Sequence, residues 1–264
     1  MPFRFRTKGV WVAAATSAMA ITAAIVVPLT VTGSGGAPAH TRAHAGRAVL
    51  VHPVRVLPKL APGTSVVAAS TVPVLPIYSH RGASRPVLGL KTPNESGSPI
   101  ALLVKSYASD WLEVYLPVRP NGSTGWIHTV NTQLGADPYR IVVDLTNYEI
   151  TVTKGTRAIL RAPVGVGRAL TPTPSGLYFV TDLLQPSDPT GPYGPYALGL
   201  SAHSTVLNEF EGGNGQIGIH GTDDPGGIGS SVSHGCVRVT NDVITFLAHR
   251  LPLGTPVLLR RPSS

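Results

Sequence analysis

Among 264 residues there is one cysteine, Cys236. That rules out an internal disulfide, and in an exported chain an odd cysteine is either a reactive thiol or an intermolecular link. Charge is also sparse, at 13% of residues, and aromatics make up only 6%. Between Gly9 and Thr41 there is no Asp, Glu, Lys or Arg. The net charge of +8 carries no Lys/Arg stripe of the kind a nucleic-acid surface needs, because Arg4, Arg6, Lys8 and Arg42 place half of it in the first 45 residues. No nucleic-acid partner is therefore expected. A mildly basic surface fits an anionic polymer such as a cell wall equally well.

What is abundant is glycine and proline, 29 and 25 residues respectively. Together with 42% hydrophobic residues, this favours strands and turns over long helices. The expectation is a mainly β protein.

The chain divides by composition. Residues 1–32 hold a short basic segment and then the apolar run Val10–Val31, long enough to cross a bilayer, since about 20 helical residues do so. Basic residues before the run keep the N-terminus inside and put the rest of the chain outside. The run reads either as a signal peptide cut at Ala37-Pro38-Ala39 or Ala43-His44-Ala45, or as an uncleaved membrane anchor; its length exceeds the usual signal core of about 7–15 residues. Residues 33–70, rich in Gly, Ala, Pro and Ser, read as a linker.

From 71 to 135 the text is strand-like in short pieces: Thr71–Tyr78, Ile100–Tyr107, Trp111–Leu116 and Gly125–Val130. Pro93-Asn94, Ser109-Asp110 and Pro120-Asn121-Gly122 punctuate them, which suggests a small barrel or meander. From 138 onward strands are expected at 139–145, 149–153, 158–164, 177–182, 196–202 and 257–259, with one helix starting at Thr240 or Asn241. The prolines of Thr171-Pro172-Thr173-Pro174 read as a stiff bend before the strand at 177.

The chemistry concentrates in Gln216–Thr240, QIGIHGTDDPGGIGSSVSHGCVRVT. A thiol needs help to become a thiolate near neutral pH, and His220 and His234 are the candidate bases. In an extended segment His234, Cys236 and Arg238 share one parity and one face. Gly235 permits a tight turn whose amides can meet a developing oxyanion. The glycine-rich 221–230 segment reads as a flexible loop able to carry His220 back over Cys236. Arg238 reads either as a contact for a substrate carboxylate or as a partner in a structural ion pair. His203, His220, His234, Cys236 and Asp223 or Asp224 are zinc-type ligands, but their spacing fits no zinc template, so no metal and no cofactor are expected.

Two motifs go further. I-H-G-T at 219–222 and S-H-G-C-V-R-V at 233–239 resemble the paired signature of the L,D-transpeptidase catalytic domain family. The P-T-P-S-G at 172–176, G-L-S-A-H-S at 199–204, the N-D at 241–242 and L-P-L-G-T-P-V at 251–257 extend the likeness over about residues 138–260. The resemblance implies a β-sandwich-like catalytic domain outside the membrane that acts on peptidoglycan stem peptides, both donor and acceptor. It implies Cys236 as nucleophile and His220 as base, oriented by the Gly221 carbonyl. His234 joins them as a catalytic-site residue, and Gly235, Ser233, Gly221 and Arg238 form the oxyanion and substrate set. The reaction it implies removes the terminal D-Ala of a tetrapeptide stem through a Cys thioester. The acyl group then passes to the side-chain amine of a second stem, cross-linking two third residues. A hydrolase acting on the same bond and a non-catalytic wall-binding protein are the alternatives. Separately, W-L-E-V-x-L-P-x-R-P-N-G-S-T-G-W-I at 111–127 resembles bacterial SH3-like domains, which implies a wall-binding or spacing role for 71–135. Tyr193, Tyr196 and Phe210, in the loop at 185–214, are expected to cover the thioester.

Overall fold

A computed structural model describes residues 60–210 and 212–261. The expected signal or anchor at 1–32 and the linker up to 59 lie outside the described residues. Among the described residues, apart from one helix and two short 3-10 turns the elements are strands, in keeping with the glycine- and proline-rich composition.

The first seven strands are β1 (Ser65–Ser70), β2 (Val74–Ile77), β3 (Leu88–Lys91), β4 (Ala101–Ala108), β5 (Trp111–Tyr115), β6 (Thr124–His128) and β7 (Thr132–Asp137). Five of them form an antiparallel sheet in the order β6-β5-β4-β1-β7, and β2 pairs with β3 in a separate hairpin. Tyr78 ties that hairpin to β6 through two backbone bonds with Trp126, each 2.8 Å. Leu75, Ile77, Leu102, Leu112, Val114 and Ile127 fill the space between.

The linker expected over 33–70 ends earlier than its composition suggests. Ser65–Ser70 is β1, hydrogen-bonded to β4 on one side and β7 on the other. Its small residues look like spacer text. They suit a central strand because the neighbouring strands supply the burial, and Ala68 is fully enclosed.

Pro138 separates the two sheets. It has no N–H to continue a ladder, and the buried Asp137 beside it accepts from the Tyr139 amide at 2.8 Å and from Thr255 Oγ1 at 2.6 Å. The second half of the chain forms β8 (Tyr139–Asp144), β9 (Glu149–Lys154), β10 (Arg157–Pro163), β11 (Val166–Gly167), β12 (Gly176–Leu184), β13 (Ala197–His203), β14 (Gln216–His220), β15 (Ser231–Ser233), β16 (Val237–Arg238), α1 (Asn241–Ala248) and β17 (Pro256–Arg260). Eight of these strands form one sheet, β10-β9-β8-β17-β12-β13-β14-β16. The register between β12 and β13 shifts between Val180 and Asp182, and such bulges bend a sheet. One core cluster takes Ile141, Val143 and Ile150 from one half together with Leu198, Ile219 and Val237 from the other. The two faces of the expected sandwich are thus halves of a single folded-over sheet joined through β12.

The helix begins where expected, with Thr240 at the N-cap position, but Thr240 makes no side-chain cap bond. Asn241 Oδ1 instead accepts from the Thr222 amide at 2.9 Å, so the helix start holds the loop after β14. Ile244 and Leu247 bury the inner face of α1.

The two sheets share side chains. Phe179, on β12, is fully buried in the core of the first sheet. Asn94 donates to Asp182 Oδ1 across the junction at 2.8 Å.

Candidate active site

Two strands create the site. β14 and β16 run parallel, with Ile219 opposite Val237 and His220 opposite Arg238. This register puts the residue just before β16, Cys236, beside Gly218, whose amide donates to Cys236 Sγ at 3.3 Å. A backbone N–H aimed at sulfur favours negative charge there. Strand pairing therefore brings His220 into the pocket that Cys236 lines, and the glycine-rich 221–230 segment does not act as a flexible arm. That segment forms a 3-10 turn at Pro225–Gly227, fastened where Ser230 Oγ donates to the Gly227 carbonyl at 2.9 Å.

His220 is 5% exposed. Its Nδ1 lies 2.6 Å from the Gly221 carbonyl oxygen. A carbonyl only accepts, so Nδ1 carries the proton and Nε2 keeps its lone pair. Burial, with a smaller push from the Arg238 charge and against the Gly221 bond, lowers its pKa to about 4. The imidazole is thus neutral at pH 7, where a free histidine would be about one quarter protonated.

The turn bearing Cys236 departs from the extended geometry expected of 234–236. Strand β15 stops at Ser233, and Gly235 has φ +127°. The chain bends there, so His234 and Cys236 reach one pocket through the bend and not through strand parity. The Gly235 amide donates to Ser233 Oγ at 3.1 Å, and Ser233 Oγ donates to the Cys236 carbonyl at 2.5 Å. Gly235 therefore supplies the shape of the turn, with its own amide already engaged, and Ser233 is the clasp. Thr173, 2% exposed, braces the turn from outside. It donates to the Gly235 carbonyl and accepts from the Gly167 amide, both at 2.8 Å. Its prolines mark the T-P-T-P run as a stiff bend, and nothing in that reading singles out this hydroxyl. Two consecutive Thr-Pro pairs before a strand are the one signal that could find it.

Cys236, His220, His234 and Arg238 line one pocket of about 160 Å³. Tyr193 leans on His220 with ring centroids 4.8 Å apart, and Phe210 on His234 at 5.1 Å. Tyr196, expected with them, sits instead on His249 at 5.5 Å, away from the pocket. Nε of Arg238 is buried with no hydrogen-bond partner, which fits a side chain that awaits a ligand better than one in a structural ion pair. His203 faces a different cleft, beside Asp182. Among the described residues no group of three or more His, Cys, Asp or Glu is placed to hold a metal.

A buried neutral imidazole sharing a pocket with a lone thiol and an arginine defines a site suited to nucleophilic acyl transfer. The model of the L,D-transpeptidase catalytic domain, YkuD, matches residues 138–259. Two Bacillus subtilis proteins carry L,D-transpeptidase names: YkuD is 35% identical over 124 residues, covering 47% of this chain and 67% of that one, and YqjB is 32% identical over 137 residues, covering 48% and 73%. A crystal structure of an Enterococcus faecium L,D-transpeptidase is 18% identical over 70% of this chain and 74% of that one, with TM-score 0.37. The chain belongs to the L,D-transpeptidase catalytic domain family. The match leaves strands β1–β7 outside it.

Proposed function

We propose that the protein is an extracytoplasmic L,D-transpeptidase whose nucleophile is Cys236. The observation that carries the reading is the 2.6 Å contact from His220 Nδ1 to the Gly221 carbonyl, in a pocket shared with the only thiol of the chain. It leaves Nε2 as a neutral base. The sulfur attacks the carbonyl carbon between the third residue of a tetrapeptide stem and its terminal D-Ala, while the thiol proton passes to Nε2. The same proton then goes to the departing D-Ala nitrogen, the C–N bond breaks, and a thioester remains. The side-chain amine of a second stem attacks the thioester and loses a proton to Nε2. Collapse returns that proton to the sulfur, which frees the thiol and leaves a cross-link between two third residues.

Arg238, with its unpartnered buried Nε, is suited to hold a carboxylate or carbonyl of the stem. His234, exposed and stacked near Phe210, shapes the pocket mouth. The apolar run Val10–Val31 supports placement outside the membrane, as a cleaved or anchored protein. The segment carrying β1–β7 is assigned a wall-binding or spacing role, on the SH3-like text of 111–127.

The test is intact-protein mass spectrometry with a tetrapeptide-stem donor, followed by addition of a stem carrying a free diamino-acid amine. The expected result is an adduct of the stem minus D-Ala that is absent from Cys236→Ala and is discharged by the amine as a cross-linked product. No adduct on the folded wild-type protein overturns the proposal, and discharge by water alone assigns a hydrolase.

A further inference from the structure

The turn between β5 and β6 reaches across to the second sheet and holds the segment that covers the pocket. Arg119 Nη1 donates to the Ser204 carbonyl at 2.5 Å. Its Nη2 donates to the carbonyls of Leu207 and Asn214, at 2.9 and 3.0 Å. Two residues on, Asn121 Nδ2 donates to the His203 carbonyl at 2.7 Å, and its Oδ1 accepts from the His203 amide at 2.8 Å. One guanidinium therefore gathers three carbonyls from both limbs of the excursion between β13 and β14, and Asn121 fastens the point where that excursion leaves β13. Within the excursion, Ser204 and Gly215 close the base through a 2.8 Å backbone bond. Gly215 has φ +74°, and a Cβ there would collide with the Leu207 carbonyl oxygen, so glycine is what lets the two limbs approach this closely.

The held segment matters because of the side chains it carries. Ser204, Leu207, Phe210 and Gly215 all line the Cys236 pocket, and Phe210 is the ring against His234. A planar fork of fixed donors suits this task, since it sets three acceptors in one geometry, whereas a lysine ammonium is a single flexible point. Closing a site against water is what lets an acyl intermediate wait for its proper acceptor.

We propose that Arg119, with Asn121, is a positioning residue of the active site: the first sheet pins the Phe210 segment over Cys236 and thereby keeps water from the acyl-enzyme. The exclusion of water rests on the acyl-transfer reading of the site; the pinning does not.

The experiment uses the full-length protein with Arg119→Ala, Arg119→Lys and Asn121→Ala. Cys236 is the sole thiol, so its alkylation rate by iodoacetamide reports access to the pocket without any substrate. Backbone hydrogen exchange over 205–210 and 212–215, against the β8–β9 hairpin as internal control, reports the hold on the segment. Both rates are expected to rise severalfold in Arg119→Ala, with the hairpin unchanged. Arg119→Lys should behave like Ala and not like wild type, because charge without the fork reaches one carbonyl at most. With a stem donor and an amine acceptor, the ratio of hydrolysed to cross-linked product should rise in the same order. Unchanged alkylation and exchange in folded Arg119→Ala overturn the proposal; if that variant does not fold, unchanged rates in Arg119→Lys and Asn121→Ala do so. Faster alkylation with an unchanged product ratio overturns the water-excluding half. A wild-type protein that is never acylated sinks the transpeptidase reading, while alkylation and exchange still decide whether Arg119 holds the cover.

Discussion

His220 Nδ1 meets the carbonyl oxygen of the very next residue, Gly221, at 2.6 Å. This contact fixes the tautomer, and it stands at a strand end where His220 is also locked opposite Arg238. Burial then keeps the ring neutral, with its pKa lowered to about 4. The imidazole is thus in the neutral form that the proposed base requires.

That depressed pKa sets the pH dependence. The free-enzyme acylation rate, kcat/KM for the donor, should stay level from pH 7 to about 5 and fall towards pH 4 as His220 takes its proton. Stability depends on the same group. An unfolded His220 titrates near 6.5, so between about 6.5 and 4 the unfolded chain binds the extra proton and the fold loses stability as pH falls. The full drop is about 3 kcal/mol at 1.36 kcal/mol per pH unit. Denaturant titrations of wild type and His220→Gln across that window measure it, and equal slopes for the two proteins would remove the assignment.

Gly235→Ala places a Cβ at φ +127° and 2.9 Å from Ile217 Cδ1. Backbone strain of this kind costs about 1–3 kcal/mol. The displaced thiol should lower donor acylation on the order of a hundredfold. Acylation kinetics beside a melting curve separate the two effects, and wild-type acylation in a folded variant would show that the turn tolerates a side chain.

Thr173→Val keeps the shape and removes the hydroxyl that joins Gly167 to Gly235. Leaving both partners unmatched in a buried place costs roughly 2 kcal/mol. Thr173→Ser should restore most of the loss. A valine variant as stable as wild type by urea titration would mean that the brace contributes nothing.

Phe179→Ala empties the contact by which β12 enters the core of the first sheet. The expected loss is about 3–5 kcal/mol, with the unfolding of the two sheets separating into two transitions. Calorimetry that keeps one sharp transition in the variant would show that the junction does not depend on this ring.

The site residues are legible in the sequence because their types are rare or costly. One thiol in 264 residues, two histidines and a turn glycine stand close together in the chain. Most strands are legible from short apolar runs between turn residues. Three elements escape a sequence reading for want of apolar text. β1 is built of small residues that resemble spacer until neighbours cover them, and β3 and β7 carry too little apolar text to announce themselves. Thr173, Gly218 and Asn241 act through single atoms brought from distant positions, and nothing local to them signals it.

Composition and motif alone pointed to a mainly β member of the L,D-transpeptidase catalytic domain family, with Cys236 and His220 as its candidate pair, because those properties depend on residue type and short spacing. Only the tertiary structure decided how the two meet: through parallel pairing of β14 with β16, a bend at Gly235 and burial that holds His220 neutral. Only it showed that Arg119, from outside the family's domain, grips the segment over the pocket. Hydrogen bonds between residues 85 to 95 positions apart leave no pattern in the chain, since their geometry exists only once both sheets have folded.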